Sequence, residues 1–118
     1  MPGTDLNMFQ VDRPWGNFKQ FTHNLSSTVK ILTVDSGEKL SLQSHKQRSE
    51  FWYVISGSGI MDIGGVKYNV KEGDKANIMV GVKHRLEDGQ AGIKILEIAT
   101  GDFDEEDEMK YEDKYGRV

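Results

Sequence analysis

SLQSHKQRSEFWYVISGSG (Ser41 to Gly59) places a glutamine, a histidine, an arginine and a glutamate on a segment whose apolar residues otherwise read as two β-strands. Residues two apart in a strand share a face. Ser41, Gln43 and His45 therefore point one way, with Leu40 and Leu42 opposite, and Arg48, Glu50, Trp52 and Val54 share another face. If the polar side faces the interior, the interior there is a site rather than a core. Burying an amide, an imidazole and a carboxylate together is costly unless each is bonded, and one divalent cation satisfies all three. His84, in GVKHRLE, is available as a fourth ligand, and of the three histidines only His23 then remains elsewhere.

Outward from this stretch, two-residue alternation recurs in TVKILTV (28–34), EFWYVIS (50–56), GIMDI (59–63), VKYNV (66–70), KANIMV (75–80) and GIKILEIA (92–99). Gly64-Gly65 lies between two such runs and reads as a two-residue hairpin, where positive φ is needed. Many short strands separated by glycine-bearing turns predict an all-β sandwich or barrel. A length of 118 residues predicts a single domain able to bury one core. Its body is expected over about residues 13–101. The acidic tail, about 102–118, reads as a solvated terminal segment.

Composition narrows the class. Hydrophobic content of 36% and charged content of 29% describe an ordinary soluble chain, neither disordered nor membrane-bound. No cysteine occurs, which excludes disulfides and thiolate metal sites and fits a reducing cytoplasm. MPGTDLNMFQ lacks a basic segment followed by an apolar one, and the longest apolar run is FWYVI, so neither a signal peptide nor a membrane span is expected. Six acids of DFDEEDE (Asp102 to Glu108) account for the net charge of −4, and no basic stripe marks a nucleic-acid face.

Spacing carries a resemblance. Gly37, five residues, Gln43-x-His45, four residues, Glu50, six residues and Gly57 resemble the first motif of the cupin superfamily, and Gly73, Met79, Gly81 and His84 resemble the second. The resemblance implies a jelly-roll β-barrel holding a metal at these positions. Gln43 stands where the first histidine is usual, and Met79 where a proline is. A Gln-x-His, Glu, His set is similar to that of phosphomannose isomerases. Arg13-Pro14-Trp15-Gly16 with Phe18, then LSLQSH, SEFWYVISG, HRLE and DKYGR, resemble landmarks of the type II phosphomannose isomerase cupin domain over nearly the whole chain. Bifunctional members of that group also carry a nucleotidyltransferase domain with a glycine-rich loop. This chain shows none, so guanylyltransferase activity is not expected of it.

The resemblance implies a metal-dependent aldose–ketose isomerase acting on a sugar phosphate, mannose 6-phosphate to fructose 6-phosphate foremost, in a cytoplasmic homodimer. Gln43, His45, Glu50 and His84 would hold the ion, zinc foremost, with manganese, iron or nickel as alternatives. A non-enzymatic metal-binding cupin that binds a sugar or regulates is the second reading. An iron oxygenase is a third, and Gln43 argues against it. Such an isomerase needs a base near neutrality. Glu97 is the first candidate, because it shares an apolar face with Ile93 and Ile95 and its pKa should rise there. Lys30, on a face with Leu32 and Val34, is the rival. Ser41 and Arg48, each two residues before a ligand, match positions that contact substrate in that family. Arg85 is a possible third contact, although it directly follows His84 and should point away.

Overall fold

The computed structural model describes residues 6–118. Its strands are β1 (Phe9–Arg13), β2 (Gly16–Gln20), β3 (Thr28–Val34), β4 (Leu42–Ser44), β5 (Arg48–Ile63), β6 (Val66–Lys71), β7 (Lys75–Ile78), β8 (His84–Gly101) and β9 (Met109–Glu112). Among the described residues there is no helix, and hence none long and apolar enough to cross a membrane.

Two long strands organise the barrel. β5 and β8 run antiparallel along their length, with register shifts between Val54 and Ser56 and between Gly57 and Gly59. These irregularities bend both strands and split each between two sheets. The first halves of β5 and second half of β8 lie with β3 and β7; their other halves lie with β6, β4 and β9. The sequence suggested separate strands over 50–56 and 59–63, but they form one bent strand. Glycine makes the bend possible: Gly57 has φ +83, and a Cβ there would stand 2.2 Å from the Gly92 carbonyl oxygen. Gly64 and Gly65, with φ of 60° and 86°, turn β5 tightly into β6 as their sequence predicts. The result is a cupin jelly roll.

Trp52, Val54, Leu86 and Ile95 lie fully buried between the sheets, packed with Met61, Ile78 and Ile93. Phe51 and Ile98 point to the other face, where Leu6, Met8 and Phe21 cover them. β5 is thus buried on both faces in its first half, so EFWYVIS, read from the sequence as alternating, is instead apolar at consecutive positions over FWYVI. β1 and β2 pair only with each other and carry the RPWG turn at their tip.

The acidic tail departs from its sequence reading. It folds back over the barrel mouth, β9 pairs with β4, and the Asp107 carboxylate accepts the backbone N–H groups of Lys46 and Gln47 at 3.0 and 2.9 Å. Those contacts tie the tail to the exposed loop between β4 and β5.

Candidate metal centre and ligand cavity

β4 and β8 set the centre. Gln43 is the direct cross-strand partner of His84, and His45 follows β4 immediately. Glu50, the third residue of β5, arrives from the other sheet. The ligating atoms of His45, Glu50 and His84 all lie within 4.8 Å of one another, and all three residues are buried. His84 Nε2 stands 3.3 Å from Glu50 Oε1, and His45 Nδ1 stands 3.7 Å from Glu50 Oε2. The Val82 carbonyl lies 2.9 Å from His84 Nδ1 and accepts its hydrogen bond in the Nδ1–H tautomer, the form in which Nε2 is free to bind a metal ion.

Three buried polar atoms in this cluster have no hydrogen-bond partner: His45 Nε2, Glu50 Oε1 and His84 Nε2. Orphaned groups at this depth are costly and call for a ligand. Two imidazole nitrogens and a carboxylate oxygen, with the Gln43 amide in the same cavity, suit a divalent cation. Electrostatics agree. Burial pushes the Glu50 carboxyl up, but the adjacent His84, together with His45 and Arg48, outweighs it and leaves the group at about 2. Burial pushes the His45 imidazole down, toward the neutral form that binds metals.

A cavity of about 290 Å³ opens beside the centre. Ser41 lines it and donates to Gln43 Oε1 at 3.4 Å, so it orients a member of the set. Lys30 and Glu97, cross-strand partners on β3 and β8, form another wall. Burial raises the Glu97 carboxyl to about 7, Glu50 adds to the rise, and the Trp52 indole N–H, donating at 3.1 Å, offsets part of it. Arg48 also lines the cavity, but it is heavily engaged: Nε donates to Glu50 Oε2 at 3.2 Å, Nη1 to the Asp104 carbonyl at 2.9 Å, and the guanidinium lies over Phe103.

Arg85 is corrected. It does not reach the cavity: Nε donates to the Leu40 carbonyl at 2.9 Å and Nη1 to Glu112 at 3.1 Å, tying β8 to β9. Strand alternation is the reason, since His84 points inward. Leu40 is the opposite case. It precedes the β4 strand, lines the cavity beside Ser41 and packs on the main core.

The tail contributes what sequence reading missed. Glu105, Glu108, Lys110 and Arg117 line the cavity, and Glu108 Oε1 is 3.6 Å from His45 Nε2. Only their local charge was visible in sequence. A larger cavity of about 570 Å³ beside β6 and β7 has no histidine in its walls and one carboxylate, Asp74, so the centre at His45 is the better candidate.

Comparison with known proteins fixes the family. The family described as mannose-6-phosphate isomerase C-terminal matches residues 4–113. The chain belongs to this family. It is 36% identical over 111 residues to mannose-1-phosphate guanylyltransferase ManC of Salmonella typhimurium, an alignment covering 92% of this chain and 23% of that protein. The chain thus spans about a quarter of the length of the curated relatives it matches. Among solved structures, the capsular polysaccharide assembling protein of Staphylococcus aureus superposes with a TM-score of 0.67 at 22% identity, covering 93% of this chain and 33% of that one. A cupin protein of Bacteroides fragilis superposes with a TM-score of 0.59 at 20% identity, covering 86% and 94%. These two likenesses concern the fold.

The relatives overturn one expectation. The sequence pointed to conversion of mannose 6-phosphate to fructose 6-phosphate, whereas relatives at this identity are named mannose-1-phosphate guanylyltransferases. They are enzymes, and this chain corresponds to their isomerase-like cupin portion.

Proposed function

We propose that this chain is a divalent-metal cupin domain whose cavity binds a phosphorylated hexose. The observation that carries the reading is the trio of buried, unpartnered atoms on His45, Glu50 and His84, the first two of these residues lining a polar cavity. With Gln43 these residues would hold the ion, zinc by the chemistry of the donors. Such an ion would supply a Lewis acid toward sugar oxygens.

The remaining residues support the metal-binding set or face the cavity. Ser41 fixes the Gln43 amide, Arg48 fixes Glu50, and the Lys30 ammonium offers positive charge on the opposite wall. Glu97, its carboxyl near 7, can give or take a proton at Oε1 or Oε2 around neutrality. The phosphosugar is inferred from the relatives, whose names specify mannose 1-phosphate. A cytoplasmic setting accords with the lack of cysteine.

The test is metal analysis of the purified chain followed by calorimetric titration with mannose 1-phosphate, before and after chelation. The expected outcome is close to one divalent ion per chain and sugar-phosphate binding that weakens when the ion is removed. A chain that takes up no divalent ion when dialysed against zinc overturns the reading.

A further inference from the structure

The acidic tail is the feature that the proposed function leaves unused. Between β8 and β9 it crosses the cavity mouth, and its Glu105 carboxylate is ion-paired with Lys30. Phe103 lies beside two of the cavity cations, 4.6 Å from the Lys30 ammonium and 4.5 Å from the Arg48 guanidinium.

The cations of this cavity are unequally committed. Arg48 is 4% exposed and held by Glu50 and the Asp104 carbonyl. Lys110 is on β9, and its partner Glu108 also faces His45. Arg117 holds Asp113 within its own turn by three hydrogen bonds. Lys30 differs. Its ion-pair partner sits outside any strand on a side chain that is 68% exposed, so that carboxylate leaves at little cost. Lys30 itself issues from a strand fixed to β8 and keeps its place when Glu105 departs.

We propose that Lys30 is the phosphate-binding cation of the cavity, and that Glu105 occupies the anion position as an intramolecular stand-in that a monoester phosphate displaces. The tail segment is thereby a strap: closed on Lys30 in the absence of ligand, exchanged for the phosphate when ligand enters. A carboxylate and a phosphate present the same kind of acceptor oxygens to an ammonium. This inference deepens the reading of the cavity as a hexose phosphate site and rests on it.

The experiment uses inorganic phosphate as the probe, titrated calorimetrically into the full chain as purified and after chelation. Both side chains are partly exposed, and circular dichroism checks that each variant is folded. Glu105→Gln should tighten phosphate binding about threefold to fivefold, the scale of an exposed ion pair. Lys30→Met should weaken it tenfold or more, and adding Glu105→Gln to Lys30→Met should then change nothing. Unchanged affinity in Glu105→Gln, wild-type affinity in Lys30→Met, or phosphate binding that disappears on chelation overturns the proposal. So does absence of phosphate binding to both wild type and Glu105→Gln. A parallel titration with mannose 1-phosphate separates the two ideas. If it binds equally well to wild type and Lys30→Met, the subsite fails while the cavity reading stands. If phosphate behaves as expected but the sugar phosphate binds no better than phosphate alone, the cavity reading fails instead.

Discussion

Trp52 donates its indole N–H to the Glu97 carboxylate at 3.1 Å, both side chains buried and directly opposed across β5 and β8. Burial holds the Glu97 carboxyl up at about 7 against an ordinary 4.5. The folded chain therefore keeps a proton that the unfolded chain has lost between those values. The stability contributed by protonated Glu97 is fully present below about 4.5 and is lost as pH rises through about 7. His45, pushed down from 6.5, acts in the opposite sense below that value, so the readout is the difference between wild type and Glu97→Gln. In metal-free protein, urea unfolding should show wild type losing up to about 3 kcal/mol relative to the variant between pH 5 and pH 8. Parallel pH profiles for the two proteins would place the titration elsewhere.

His45→Ala tests the metal centre. In wild type, loading with zinc should raise the melting temperature, because the folded cluster binds the ion and the unfolded chain does not. The variant should lose most bound ion and most of that rise. The apo melting temperature should fall much less, because one orphaned buried atom, His45 Nε2, is removed with the ring. Undiminished zinc content in the variant would exclude His45 from the ligand set.

The strands and the centre differ in how legible they were. The alternation of TVKILTV marked β3 over Thr28–Val34, and Gly64-Gly65 marked a turn that only positive φ permits. Period-two reasoning also brought Gln43 and His45 to the interior and turned Arg85 away. It failed where partners are remote. Asp107 reaches Lys46 and Gln47, Glu105 reaches Lys30, and Phe103 lies against Arg48 across long stretches of chain. Nothing periodic in DFDEEDE encodes those contacts, since a run of charge reads as solvated until its partners are known.

The bend in β5 gives a prediction with an internal control. Gly57 and Gly37 both have positive φ, but a Cβ at Gly57 meets the Gly92 carbonyl oxygen at 2.2 Å, while one at Gly37 meets nothing within 4 Å. Gly37→Ala should cost about 1 kcal/mol, the backbone term alone. Gly57→Ala should cost at least about 2 kcal/mol more, because two long strands must separate to admit the methyl group. Chemical denaturation of the two variants measures the difference. Equal losses would mean that the approach of β5 to β8 adds nothing at this bend.

Arg48 decides between two roles that the sequence could not separate. A residue kept for the ligand's phosphate would be costly to the fold only slightly, whereas Arg48 is buried between Glu50, the Asp104 carbonyl and Phe103. Replacing it with methionine keeps much of the volume but leaves the Glu50 carboxylate, 3% exposed, without its guanidinium. Breaking a buried pair on one side is expected to cost about 3 kcal/mol or more. A metal ion on His45, Glu50 and His84 would itself neutralise that carboxylate, so the loss should shrink when the protein is loaded with zinc. Arg48→Met should therefore unfold well below wild type after chelation and approach it in the presence of metal, with phosphate affinity in the loaded protein reduced far less than by Lys30→Met. A variant as stable as wild type without metal, but unable to bind phosphate, would return Arg48 to the role of phosphate clamp and remove it from the support of Glu50.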